Sequence, residues 1–249
     1  MQSMKADGLH LAMWSGPRNI STAMMRAWEN RQDTTVWDEP LYAYYLNETK
    51  KKHPMSNQII KNYPTDINKI IKLMSNKTDN NEIYYQKHMT HHILEQTPLH
   101  WIENGINCFL IRHPKEVIDS YIKKNNLSES SDIGFPGQYR IFQKVKKLNR
   151  ELIVINADDI YKNPEKLLKL LCEKLNIKYS NKMIKWPLGS RSSDGCWHKV
   201  WYDTVKLSTS FEKKTNKNIN ISPEFLSIYN ECLDIYNEIN FFNLNNEYQ

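Results

Sequence analysis

In the segment Trp14-Ser15-Gly16-Pro17-Arg18-Asn19-Ile20-Ser21-Thr22, one guanidinium and two hydroxyls stand within five residues of each other. These groups suit a tetrahedral oxyanion: the planar fork of Arg18 matches phosphate or sulfate oxygens, and Ser21 and Thr22 add hydroxyl donors. Their geometry depends on the flanks. Residues 9–14 are mostly apolar and run into Ser15-Gly16-Pro17, which predicts a buried strand entering a turn. Ile20, Ala23, Met24, Ala27 and Trp28 then recur at helical spacing, with Asn19 as the candidate cap. A turn between strand and helix presents backbone N–H groups and the positive end of a helix dipole, so the segment reads as an anion site. A Walker A loop is the nearest general pattern, but Asn19 and Ile20 stand where its Gly-Lys pair would precede Ser21.

His88, His91 and His92 form the other conspicuous cluster. Adjacent histidines point apart on a helix, and no carboxylate or thiolate nearby completes a ligand set, so no metal is expected. Cys108, Cys172, Cys196 and Cys232 stand far apart without a CxxC pair. They are expected to be reduced thiols in a cytoplasm rather than a zinc site or a disulfide framework.

The elements that must position these groups follow from periodicity. Strands are predicted near residues 34–37, 83–87, 107–111 and 152–156, and helices near 67–74, 114–124 and 138–149. Pro114 and Pro164 stand at first helical positions and Asn163 caps the second of these helices, whose Leu167, Leu168, Leu171, Cys172 and Leu175 make a core face. The alternation predicts an α/β fold, a parallel sheet of about five strands flanked by helices.

With 249 residues, 40% of them hydrophobic, and no linker-like stretch or repeat, the chain is expected to fold as one domain over residues 1–249. The net charge of +6 is modest, and the Lys50 to Lys52 triplet reads as a solvated loop, so a small anionic ligand fits better than nucleic acid. No apolar run approaches the roughly 20 residues of a membrane span, and the N-terminus lacks a basic region leading into one, so a cytoplasmic protein without a membrane partner is expected.

The loop resembles the 5′-phosphosulfate loop of P-loop sulfotransferases, Pro-Lys/Arg-Ser-Gly-Thr/Ser-Thr. Pro17, Arg18, Ser21 and Thr22 match, while Asn19 and Ile20 replace Ser-Gly. The stretch 108–120 resembles the family's 3′-phosphate motif, with Arg112 at a strand end and Ser120 eight residues on. Residues 156–177 resemble an architectural stretch of the family. Residues 189–199 resemble its C-terminal loop closing over the nucleotide, which implies contacts from Arg191, Gly195 and Trp197. The resemblance implies a P-loop NTPase-like sulfotransferase fold, 3′-phosphoadenosine-5′-phosphosulfate as donor without a metal, and a small hydroxyl- or amine-bearing acceptor.

A sulfuryl group carries less charge than the group ATP transfers and can be handled by protein donors. In-line transfer places growing charge beside Arg18 and needs a base opposite. Glu39 follows the second strand, as the base does in several sulfotransferase branches; Lys87-His88 resembles the Lys-x-His of the cytosolic branch, shortened by one, and makes His88 the other candidate. Tyr42, Tyr44, Tyr45, Tyr84, Tyr85 and Phe135 are expected mainly in core and lid packing. The alternatives are a related small-molecule kinase or NTPase, and a non-catalytic adenosine-phosphate-binding module.

Overall fold

In the computed structural model, which describes residues 8–76, 83–212 and 219–248, the apolar runs become five strands. They are β1 (Leu9–Ser15), β2 (Thr34–Asp38), β3 (Ile83–Met89), β4 (Ile106–Ile111) and β5 (Ile153–Asn156). All pair in parallel in the order β2-β3-β1-β4-β5. Each predicted strand is present, shifted by at most two residues at an end.

The helices are α1 (Ser21–Glu29), α2 (Tyr42–Thr49), α3 (Ser56–Asn62), α4 (Ile67–Ser75), α5 (Pro114–Tyr121), α6 (Phe135–Lys147), α7 (Ala157–Lys162), α8 (Pro164–Lys174), α9 (His198–Trp201), α10 (Asp203–Lys206) and α11 (Leu226–Asn240). Asn163 caps α8 by accepting from Lys166 N, as expected. Asn19 does not cap α1. Ile20 holds that position in the left-handed conformation, and Asn19 is buried beneath the loop.

Side chains alternate across a strand, so a sheet apolar on both faces must be covered twice. Leu11 and Met13 of β1 face one layer with Met24 and Trp28 of α1 and Leu168 and Leu171 of α8. Ala12 and Trp14 face the other, with Ile70 of α4, Ile141 and Phe142 of α6 and Ile239 of α11. Polar anchors fix the register of that second layer: Gln138 Nε2 donates to Trp14 O at 3.1 Å and Leu110 O at 3.0 Å, and Asn107 Oδ1 accepts from Trp14 Nε1 at 2.9 Å. A third cluster joins Tyr42, Tyr45 and Leu46 of α2 to Ile59, Trp197 and Tyr202.

From β1 the chain goes to the β2 side of the sheet, and from β3 it crosses β1 to reach β4. Ligands of open α/β sheets bind at such a reversal, outside the carboxyl ends of the strands. Residues 17–22, 39, 87–89 and 112 all lie at that edge.

Candidate active site

The β1–α1 turn is tight: a Cβ on Gly16 would lie 2.3 Å from Ile133 O, so the approach of residue 133 requires glycine. Beyond it Arg18 and Ile20 both take left-handed conformations, with φ 64° and 55°. For a β-branched residue this is strained by about 1–3 kcal/mol, the kind of cost found at functional loops. Ile20 occupies the place where the family pattern has glycine. The first α1 ladder bond is Met24 N–H to Ile20 O at 2.9 Å, and no side chain caps the helix, so the preceding N–H groups have no helical partner.

Pro17, Arg18, Asn19, Ile20, Ser21 and Thr22 line a cavity of about 450 Å³. Among the described residues Arg18 Nε is buried with no hydrogen-bond partner. Burial, reinforced by Arg112, disfavours the Arg18 charge and lowers its pKa. An anion would answer both the missing partner and the unbalanced charge.

Arg112 stands immediately after β4 and Ser120 lies on α5; both line the same cavity. Arg112 Nη1 donates to Arg18 O at 2.7 Å and its Nε to Glu116 Oε2 at 3.0 Å, so one guanidinium braces the loop while facing the cavity. Tyr161 of α7 joins this wall, although its sequence neighbourhood predicts only architecture. Its position one turn past the β5 edge was the available signal.

The same cavity is also lined by Glu39 and Lys87, which belong to a carboxylate cluster with Asp38. Asp38 and Lys87 are register partners on β2 and β3, and Glu39, at φ 45°, continues the ladder by donating its N–H to Lys87 O at 3.0 Å. Lys87 Nζ contacts Asp38 Oδ1 at 2.9 Å, Glu39 Oε1 at 2.5 Å and Tyr202 Oη at 2.7 Å. Burial opposes the ammonium, but Asp38 and Glu39 outweigh it and raise the Lys87 pKa. Burial also raises the Glu39 pKa, with the Asp38 charge adding to it and Lys87 opposing. Glu39 and Lys87 both line the cavity.

His88 does not line it. Side chains alternate along β3, so when Lys87 turns to this wall, His88 turns to the other layer. There it stacks on Trp14 at 4.4 Å, bonds Gln86 Oε1 at 3.1 Å and is 1% exposed. Burial lowers its pKa to about 3. Of the two candidate bases, His88 is the one the fold buries in the core away from the cavity lining. His91 and His92, in the turn that follows, do reach the cavity.

Arg191, Gly195 and Trp197 also lie off the cavity wall, where nucleotide contacts were expected. Arg191 donates to Pro187 O at 2.6 Å; Gly195 N donates to Asp38 Oδ2 at 3.2 Å; Trp197, 1% exposed, donates to Tyr202 Oη at 3.3 Å. Gly195 and Trp197 thus pack against Asp38 and Tyr202. The late-chain residues on the wall instead include Tyr202, Thr204, Val205, Ser208 and Phe211, in a stretch with no motif-like spacing to reveal them.

The site thus stands on an all-parallel five-stranded α/β sheet, with a tight strand-to-helix loop after β1 and a carboxylate after β2. The sulfotransferase domain family matches residues 9–229, and the chain belongs to that family. Its fold is similar to the sulfotransferase domain from the curacin biosynthetic pathway, with TM-score 0.58 and 15% identity over 90% of this chain and 97% of that one. The sulfotransferase domain of the Synechococcus PCC 7002 olefin synthase is also similar, with TM-score 0.56 and 12% identity over 92% and 97%. Two Arabidopsis thaliana proteins, named branched-chain-amino-acid aminotransferase-like proteins 2 and 1, are 28% and 29% identical over 224 residues, 90% of this chain. The chain spans about 40% of the length of each.

Proposed function

We propose that this chain transfers a sulfuryl group from 3′-phosphoadenosine-5′-phosphosulfate to a hydroxyl or amine of a small acceptor. The observation that carries the reading is that one cavity joins an arginine-bearing anion loop to a carboxyl group with a raised pKa. The donor supplies an activated sulfuryl group on a phosphate leaving group. Arg18, the open N–H groups of the α1 turn and the hydroxyls of Ser21 and Thr22 hold the phosphosulfate oxygens and stabilise the charge that grows as the leaving bond breaks. Arg112 and Ser120 hold the 3′-phosphate. Glu39, on the facing wall, takes the proton of the acceptor as its oxygen or nitrogen bonds to sulfur. The fit of the donor rests on the unpartnered Arg18 Nε and on the separate placement of Arg112.

Thermal denaturation tests this reading. 3′,5′-ADP without magnesium should stabilise the protein, by about 2.7 kcal/mol at a hundred times its Kd. AMP should do much less. An equal or larger shift with magnesium-ATP would point to a kinase or NTPase, and no shift with any nucleotide would remove the donor assignment.

A further inference from the structure

Tyr202 lies outside every motif in the sequence, yet its hydroxyl sits at the centre of the carboxylate wall. It is 4% exposed. Its oxygen is 2.7 Å from Asp38 Oδ2, 2.8 Å from Asp38 Oδ1, 2.7 Å from Lys87 Nζ and 3.4 Å from Glu39 Oε1. A phenol has one proton to give. It can therefore satisfy Asp38 or Glu39, but not both at once.

The other groups leave little freedom. Lys87 has three N–H donors and three partners, Asp38, Glu39 and Tyr202, so none remains to touch a ligand. Asp38 is answered by Lys87, by Tyr202 and by Gly195 N–H. Glu39 has Lys87 and only the longer contact to Tyr202. Two carboxylates against one ammonium leave one excess negative charge in a buried space, where a neighbouring like charge disfavours ionisation. Glu39 has the fewer donors and its side chain is 10% exposed, against 1% for Asp38, so the mobile proton belongs there. Tyr42 of α2 also faces Glu39, and burial pushes its phenol pKa up and keeps it neutral; His91 and His92, near Lys87 on the same cavity, are held neutral by burial as well.

We propose that Tyr202, together with Lys87 and Asp38, is a positioning residue that sets the protonation of Glu39, rather than a group that touches donor or acceptor. Gly195 and Trp197 serve the same arrangement: Gly195 N–H and Trp197 Nε1 hold Asp38 and Tyr202, and a Cβ on Gly195 would lie 2.1 Å from the Trp197 ring. The inference rests on the reading of Glu39 as base.

Two substitutions move the proton in opposite directions. Tyr202→Phe removes a donor from the ionised carboxyl and should raise the Glu39 midpoint by about one pH unit. Asp38→Asn removes the neighbouring like charge while keeping an acceptor for Gly195 and Tyr202, and should lower it by a similar amount. The midpoint is read from the side-chain carboxyl signal of ¹³C-labelled glutamate that disappears in Glu39→Gln. The acid limb of kcat/KM should follow it in each variant, while the Kd for 3′,5′-ADP stays within about twofold. A midpoint unmoved in folded Tyr202→Phe, or moved the same way in both variants, overturns the proposal; should Tyr202→Phe fail to fold, a midpoint that does not fall in Asp38→Asn does so alone. Loss of 3′,5′-ADP binding in the unsubstituted protein would instead refute the donor reading and leave the titration result standing.

Discussion

At one end of the cavity Arg18 keeps a buried Nε without a partner among the described residues, and the uncapped first turn of α1 lines the same space. At the other end Lys87 directs all of its N–H groups to Asp38, Glu39 and Tyr202, and Asp38 has a partner on each oxygen. The first end keeps a donor without a partner, at a cost in strain at Ile20 and in desolvation at Arg18. The second is complete in itself. Unmet donors make a binding site; a closed network holds charges in a fixed geometry, which is what a proton acceptor needs.

Exchanging those roles would break the comparison, and Glu39→Gln is the strongest attempt. It preserves size and hydrogen bonding, so 3′,5′-ADP affinity should be unchanged, while turnover on an acceptor found by screening for sulfate incorporation should fall about 10² to 10⁴-fold. A parallel loss of nucleotide binding would mean that both ends hold the donor. In the unsubstituted protein Glu39 must be ionised to act, and its pKa is raised by burial, so activity should rise with pH through a midpoint above the ordinary 4.5. A pH-rate profile gives that midpoint directly.

At the cationic end Arg112→Ala should weaken 3′,5′-ADP by about 1.5–3 kcal/mol. Isothermal titration should show AMP losing much less. Equal losses would mean that Arg112 acts only as the brace on Arg18 O.

The smallest effect concerns His88, which belongs to neither end. Its folded pKa of about 3 lies below the ordinary 6.5, so the unfolded chain binds its proton first as pH falls. Its contribution is intact above 6.5 and lost on acidification, by about 2 kcal/mol at pH 5. His88→Asn should flatten the pH dependence of denaturant midpoints between 6.5 and 5 and leave turnover at neutral pH nearly intact, apart from any loss in folding.

What the sequence revealed follows the same division. Strand-turn-helix periodicity and the Pro17, Arg18, Ser21 and Thr22 pattern lie within a few residues of one another, so the anion end and all five strands were legible. Glu39 was legible because it follows a strand directly. Lys87 and His88 could not be told apart by spacing alone, since which of two neighbours faces the cavity is set by the phase of β3 in its pairing with β1 and β2. Asn19 was misread as a cap because its polar type fits, whereas the loop buries it and gives the position to Ile20. Arg191, Gly195 and Trp197 were read as nucleotide contacts because their stretch resembles the family's C-terminal loop, whereas the partners of Gly195 and Trp197, Asp38 and Tyr202, appear only in three dimensions.

The carboxylate wall is also the site's longest span in sequence. Tyr202 meets Asp38 across 164 positions, and Asp194 meets Arg26 of α1 at 2.8 Å across 168. Closing a loop of that length costs more chain entropy than bringing β1 to β3, about 0.6 kcal/mol for each doubling, and it waits on the sheet for its docking surface. The order of assembly is therefore built in: a chain emerging during synthesis has Arg18 and its neighbours long before Tyr202 and Asp194, so the Asp38–Tyr202 and Arg26–Asp194 contacts close only when nearly the whole sheet is available.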